Sequence, residues 1–317
     1  MAVGIIILNY NNAVDTVHCI DSIETHNTAP IKFILVDNGS REEHIRSLDT
    51  YIQSRFRDDC LRTSPDQETG RLPKMTFLLN PENSGYARGN NLGLALAARD
   101  EEITHILLLN NDILFVEDIL PKLLEDAQRL DHCGIITPLL VRKDLVTVDY
   151  CVAKRFISNW NIMVPFLLHN RNWHGWISKN AEKQLAWTRC PELLETGESF
   201  PIDYSSGSCL FSPKSVLLEI EGLDPGTFLY YEEIILYKRL KKAGYQNYCD
   251  PGIRIVHLGG SSTRMSDNAF LQRCNLESAD LYFRKYGDCT LAQRIVWALT
   301  KASWKLRLLY KNKKKSL

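Results

Sequence analysis

Short runs of β-branched and leucine residues alternate with amphipathic stretches in the N-terminal half of the chain. This alternation predicts strand-helix-strand units and a mostly parallel sheet. Residues 3–8, 31–36, 75–79 and 105–109 read as strands. Residues 12–25 carry Val14, Val17, Ile20 and Ile23 at helical spacing, and residues 88–98 form a second helical stretch after a Gly/Asn-rich loop. Each strand ends in a polar loop. In open α/β sheets ligands gather at the carboxyl ends of the strands, so those loops are where chemistry is expected.

The pattern then changes. Residues 58–73 turn polar and proline-bearing and read as a surface loop. Residues 150–200 hold Trp160, Trp173, Trp176 and Trp187 with no clean periodicity, which predicts an irregular aromatic insertion near the active site. Regular signals return at residues 208–212, in a helix over 232–243 and in a strand over 253–257. After residue 267 the pattern is helical to the end. No internal repeat is present.

Composition narrows the class. A chain of 317 residues with 44% apolar residues, 24% charged residues and no formal net charge is that of a soluble globular protein with a sizeable core. Global charge therefore gives no reason to expect a nucleic-acid partner. Nine cysteines without a CxxC pair, and a start lacking the basic flank and long apolar core of a signal peptide, point to reduced thiols in the cytoplasm. No stretch approaches the roughly twenty apolar residues of a membrane-spanning helix. The charge is nevertheless uneven, because Lys301, Lys305, Arg307, Lys311, Lys313, Lys314 and Lys315 crowd the C-terminus. Residues 293–315 interleave these cations with Trp297, Trp304 and leucines. An amphipathic helix lying on the inner face of an anionic membrane has this composition, as does a helix packed on the domain with solvated lysines.

Four polar loops follow four apolar strands: Asn9-Tyr10-Asn11, Asp37-Asn38-Gly39-Ser40, the stretch from Asn83 to Asn91, and Asn110-Asn111-Asp112. Together they offer an aromatic ring, two carboxylates, amides and an arginine. A nucleoside-diphosphate sugar needs that assortment: stacking and an acceptor for the base, cations or N–H groups for the diphosphate, a metal or positive charge for the leaving group. Turns use Asn, Asp, Gly and Ser for their own reasons, so any single loop is equally a turn. Four in succession favour a binding surface.

The ordered set ILNYNN, ILVDNGS, NPENSGYARGNNLGL, ILLLNND, SGSCLFSPKSV, GLDPGTFLYYEEIILYKRLKKAGY and VHLGGSST resembles the family 2 glycosyltransferases of GT-A fold, nearest to the rhamnosyltransferase-like branch of bacterial surface-polysaccharide synthesis. The resemblance runs from about Val3 to Thr263, with the segment after Tyr150 unmatched. It implies a Rossmann-like α/β/α domain with a mixed central sheet over residues 1–265, followed by a helical extension with a basic tail over 266–317. It implies that Asn9, Tyr10, Asn11, Asp37 and Asn38 hold the base and ribose, and that Asn83, Gly85, Arg88 and Asn91 line the diphosphate. Asn110-Asn111-Asp112 stands where the family has Asp-x-Asp, so Asp112 is the expected ligand of Mg²⁺ or Mn²⁺ and Asn110 a polar contact. His257 matches a position that supplies an imidazole to the metal, although a lone histidine is more often structural.

Glu232-Glu233 replaces the family's Glu-Asp, and Glu233 stands where the general base is expected. Acidic residues also favour a helix N-terminus for electrostatic reasons. The acidic position two residues on is Ile235 here, which questions the acceptor-side contacts. Asp203, Gly207 and Ser208 would line donor sugar or acceptor. The implied reaction is inverting transfer from a dTDP- or UDP-linked sugar, possibly rhamnose, to a hydroxyl of a lipid-linked saccharide, as in O-antigen or capsule synthesis. Two other classes compete: a non-catalytic binder of nucleotide sugars, suggested by Asn110, Glu233 and Ile235, and a sugar nucleotidyltransferase. The latter should carry a Gly-rich basic loop after the first strand, where this chain has Asn9-Tyr10-Asn11-Asn12.

Overall fold

The computed structural model describes residues 1–148, 152–156, 158–167, 191–259 and 268–315. Its strands are β1 (Ala2–Asn9), β2 (Ile31–Asn38), β3 (Cys60–Thr63), β4 (Met75–Asn80), β5 (Ile103–Asn110), β6 (Ile113–Phe115), β7 (Cys133–Val141), β8 (Phe200–Ile202), β9 (Cys209–Pro213) and β10 (Gln246–His257). The helices are α1 (Ala13–His26), α2 (Glu42–Phe56), α3 (Tyr86–Ala98), α4 (Leu120–Arg129), α5 (Asn159–Leu167), α6 (Lys214–Glu219), α7 (Glu232–Lys242), α8 (Asn268–Lys285) and α9 (Leu291–Lys315).

The strands form one mixed sheet in the order β3-β4-β2-β1-β5-β9-β7-β10-β6, with β8 paired to β10. From β3 to β5 every pairing is parallel. Strand β9 enters antiparallel to both β5 and β7, while β7 and β10 run parallel. Parallel strands must be covered on both faces, and their alternation shows how. Ile5, Ile7, Phe33 and Leu35 pack with Ile20, Ile23, Leu48, Ile52 and Leu120 from α1, α2 and α4. Ile6, Ile34 and Val36 point the other way, onto Leu94 and Ala97 of α3, Val216 of α6, and Leu236 and Leu240 of α7. Three layers result, the α/β/α arrangement expected from the sequence.

Local chemistry sets the boundaries. Asn12 ends the first polar loop by capping α1, its Oδ1 accepting from Asp15 N at 3.3 Å. Two expectations need correction. The loop over residues 58–73 contains β3, a four-residue edge strand parallel to β4, too short and too polar to leave a periodic signal. The segment over 150–200 is not irregular throughout, since α5 is a regular helix whose Met163 and Phe166 are buried. Trp160 lies on α5 and is exposed, whereas Trp173, Trp176 and Trp187 lie outside the described residues.

The helices after residue 267 form as expected. Through Tyr282, Phe283 and Trp297 they pack with Met163 and Phe166 of α5 and with Ile234 and Ile235 of α7. Ile235 is 1% exposed, so this position serves the core. Among the described residues no helix is long and apolar enough to cross a membrane.

Candidate active site

Parallel register brings the ends of β1, β2, β4 and β5 to one level: Asn9 stands beside Asp37, Asn38 beside Asn80, and Leu8 beside Asn110. Asn9 is fully buried and donates through Nδ2 to Asp37 Oδ2 at 2.7 Å and to Ser40 Oγ at 3.2 Å. The other Asp37 oxygen accepts from Ser40 N at 2.9 Å. Asp37 thus caps the turn after β2, and each of its oxygens retains a further lone pair. Asn11 joins the same loops, its N–H reaching Ser40 Oγ at 2.8 Å and its Oδ1 accepting from Arg41 N at 2.8 Å. Tyr10 stands between them, half-buried.

Asn111 faces inward. Its amide donates to Thr16 Oγ1 at 2.9 Å, and to Asn9 Oδ1 and the Asn12 carbonyl at 3.3 Å each. It pins the β5 turn to α1, and losing it would strand buried acceptors at a cost of about 1–3 kcal/mol. On the other side Asn38 Nδ2 donates to Asn83 Oδ1 at 3.0 Å and to the Gly85 carbonyl at 3.1 Å. Arg88 is exposed and donates to the Pro225 carbonyl at 2.8 Å, while Asn91 makes a reciprocal pair with Leu223, at 2.7 and 2.9 Å. Both side chains therefore tie the start of α3 to the loop before α7.

Asp112 is 6% exposed at the β5–β6 turn, and His257 closes β10. Pairing of β10 with β6 puts His257 opposite Ile113, and Leu258 N donates to the Asp112 carbonyl at 2.9 Å. The imidazole Nε2 then lies 3.5 Å from Asp112 Oδ2. A carboxylate oxygen and an imidazole nitrogen form a donor set that suits Mn²⁺, and Mg²⁺ through the carboxylate. Among the described residues no group of three or more His, Cys, Asp or Glu could hold a metal, so substrate oxygens and water would complete the shell. The residues present fit a cation that is shared with a ligand.

The two carboxyls at the start of α7 differ sharply. Glu232 is 6% exposed, its Oε1 has no hydrogen-bond partner among the described residues, and burial followed by the charge of Glu233 pushes its carboxyl up to about 8. Glu233 is half-buried and its Oε1 accepts from Gly207 N at 3.1 Å. Just before them Tyr230 and Tyr231 both adopt positive φ, 73° and 69°, a conformation costly for bulky residues and typical of functional turns. Gly207 also accepts from Tyr86 OH at 2.6 Å, and the next carbonyl, that of Ser208, accepts from Asn110 N at 2.9 Å. Asp203 stands apart at the end of β8, where Oδ2 accepts from Phe156 N at 2.6 Å.

Residues 4–181 match glycosyl transferase family 2. The chain belongs to that family. Among curated relatives, it is 24% identical over 248 residues to an N-acetylglucosaminyl-diphospho-decaprenol L-rhamnosyltransferase of Mycobacterium tuberculosis, covering 74% of this chain and 68% of the relative. It is 25% identical over 184 residues to Rhamnosyltransferase WbbL of Escherichia coli, covering 57% of this chain and 63% of that protein. A solved structure of GalNAc-T7 with UDP, GalNAc and Mn²⁺ superposes with a TM-score of 0.59 at 14% identity, over 91% of this chain and 49% of that one. That likeness confirms the GT-A fold.

Thr16, Ser40, Asn80, Ser84 and Tyr86 also organise this surface, each bonded to a residue expected at the site. Ser40, Asn80, Ser84 and Tyr86 all stand inside motifs that the sequence displays. Thr16 carried no signal, since a helical threonine facing a strand end looks like any other.

Proposed function

We propose that this family 2 glycosyltransferase transfers a hexosyl or rhamnosyl group, with inversion, from a dTDP- or UDP-linked donor to a hydroxyl of a lipid-linked saccharide, at the cytoplasmic face of a membrane. One observation carries the reading: the loop Ser206-Gly207-Ser208 touches Glu233 through Gly207 N and the Asp112 turn through Ser208 O. A candidate base and a candidate metal site therefore flank a single three-residue loop, the juxtaposition that displacement at an anomeric carbon needs. Related enzymes named for rhamnosyl transfer, one of them to a diphospho-decaprenol sugar, support the substrate class.

In this reading Asn9, Asn11, Asp37 and Asn38 shape the floor under the base and ribose, and the Asn83–Gly85 turn approaches the diphosphate. Glu233 takes the proton of the acceptor hydroxyl as that oxygen bonds to the anomeric carbon and the nucleoside diphosphate departs with the bonding pair. Asp112 and His257 would hold Mg²⁺ or Mn²⁺, which when bound supplies charge to neutralise the leaving diphosphate. Glu232, buried and protonated at neutral pH, keeps a second negative charge away from Glu233.

The test is to incubate the protein and Mn²⁺ with a panel of labelled nucleotide sugars and a polyprenyl-diphosphate-linked sugar. Transfer with inverted anomeric configuration is expected from one of them. Absence of binding, hydrolysis and transfer across the whole panel would overturn the reading.

A further inference from the structure

Helix α9 presents two unlike apolar faces. One is docked: Trp297 is 4% exposed and donates to Asp280 Oδ1 at 3.0 Å, and Trp304 donates to the Phe166 carbonyl at 2.8 Å. On the opposite side Leu291, Ile295, Leu299 and Leu306 are 75%, 53%, 68% and 69% exposed. At 3.6 residues per turn these four fall within about a quarter of the circumference, joined by exposed Ala302. They form a continuous aliphatic stripe, and solvated surfaces rarely keep one without a use. Exposed Arg294 and Lys305 border it, and the sequence of α9 contains no acidic residue.

We infer that α9 lies on an anionic bilayer surface, its Leu291–Leu306 stripe in the acyl boundary and its cations among the headgroups. A helix with an apolar stripe, basic flanks and low mean hydropathy binds in the interfacial plane, and no described helix of this chain can span the bilayer. A second copy of the chain fits less well on the stripe, because its own Arg294 and Lys305 would face like charges. Through Trp297 the docked face joins the cluster holding Ile234 and Ile235 of α7, so the helix that touches the membrane also supports the one whose first turn carries Glu233. The inference deepens the lipid-linked acceptor reading, since such an acceptor presents its sugar at the bilayer surface.

Co-sedimentation of the full chain with phosphatidylglycerol-containing vesicles, against pure phosphatidylcholine vesicles and without any sugar present, tests it. Binding to the anionic vesicles and release at high salt are expected. Leu299→Glu should weaken that binding about tenfold, and each of Arg294→Glu and Lys305→Glu at least about fivefold. Leu299 and Lys305 are exposed, so thermal melting and donor hydrolysis of those two variants should stay at wild-type values, whereas Arg294→Glu also gives up the bond from Arg294 Nε to the Cys289 carbonyl at 3.1 Å and should melt slightly lower. Equal affinity for neutral and anionic vesicles overturns the inference, as does Leu299→Glu binding like wild type. A concentration-dependent dimer lost in Leu299→Glu would assign the stripe to a second copy instead. Failure of vesicle binding with intact sugar transfer would leave the proposed reaction standing.

Discussion

Gly207 N donates to Glu233 Oε1 at 3.1 Å, so the carboxyl is aimed by the backbone of a loop rather than by another side chain. A donor of this kind holds one oxygen in place, leaving the second to meet a hydroxyl.

Glu233→Gln keeps the size and the acceptor oxygen for Gly207 but removes the basic lone pair. Turnover is expected to fall by about 10²–10⁴-fold, the range that general base catalysis contributes, with donor affinity changed less than about threefold. Single-turnover kinetics with separate donor titration checks both. Near-normal turnover would move the base to Glu232 or Asp203.

The 3.5 Å approach of His257 Nε2 to Asp112 Oδ2 leads to a second expectation. Asp112→Ala and His257→Ala should each weaken Mn²⁺-dependent donor binding, with Asp112→Ala the larger loss because it removes the charged ligand. Calorimetric donor titration with and without Mn²⁺ is the measurement. Donor binding that ignores both the metal and the substitutions would show the pair to be an ordinary ion pair.

Much of this surface was legible beforehand because its parts are local. A strand run and the polar stop after it lie within a few residues, so Asn9, Asp37 and Asp112 could be read from the chain. What pairs distant segments could not. Nothing near Gly207 announces Glu233, and only the family resemblance put His257 with Asp112, because the pairing of β10 with β6 that joins them involves a three-residue strand too short for any pattern. Helix α2 escaped for a different reason: Leu48, Ile52 and Phe56 are its only buried positions, a thin stripe within a polar stretch. Ile235 looked like a missing acid until α8 and α9 supplied the core that it fills.

Glu232 yields a pH prediction. Its carboxyl is raised by burial and by Glu233 to about 8, whereas in the unfolded chain it ionises near its ordinary value of 4.5. Between those values the unfolded state loses its proton and the native state keeps it, so this group's contribution to stability is present below 4.5 and is lost as pH rises towards 8. Glu232→Gln removes that loss. Relative to wild type the variant should therefore gain stability from pH 5 to pH 8, by on the order of a few kcal/mol. Urea melts across this window decide it, and a pH-independent difference would refute the protonated state.

Gly85 is the sharpest backbone constraint at the site. Its φ of 85° and ψ of 178° lie in a region essentially restricted to glycine, and a Cβ there would stand 2.4 Å from the Phe228 carbonyl oxygen and 2.8 Å from Phe228 Cα. The obstruction is backbone and cannot rotate away. Tyr86 N meanwhile donates to that same carbonyl at 2.8 Å, which locks the start of α3 to the loop leading into Glu232 and Glu233. Gly85→Ala must break that bond or shift one of the two segments, at a cost of about 1–3 kcal/mol before any loss of the hydrogen bond. A lower melting temperature is expected, together with weaker donor binding, because Asn38 also relies on the Gly85 carbonyl. Gly197, whose φ of 71° is similar but whose Cβ would meet nothing among the described residues, serves as the control: Gly197→Ala should cost stability through strain and leave donor binding untouched. Equal effects of the two substitutions on donor binding would mean that the contact with Phe228 does not organise the site.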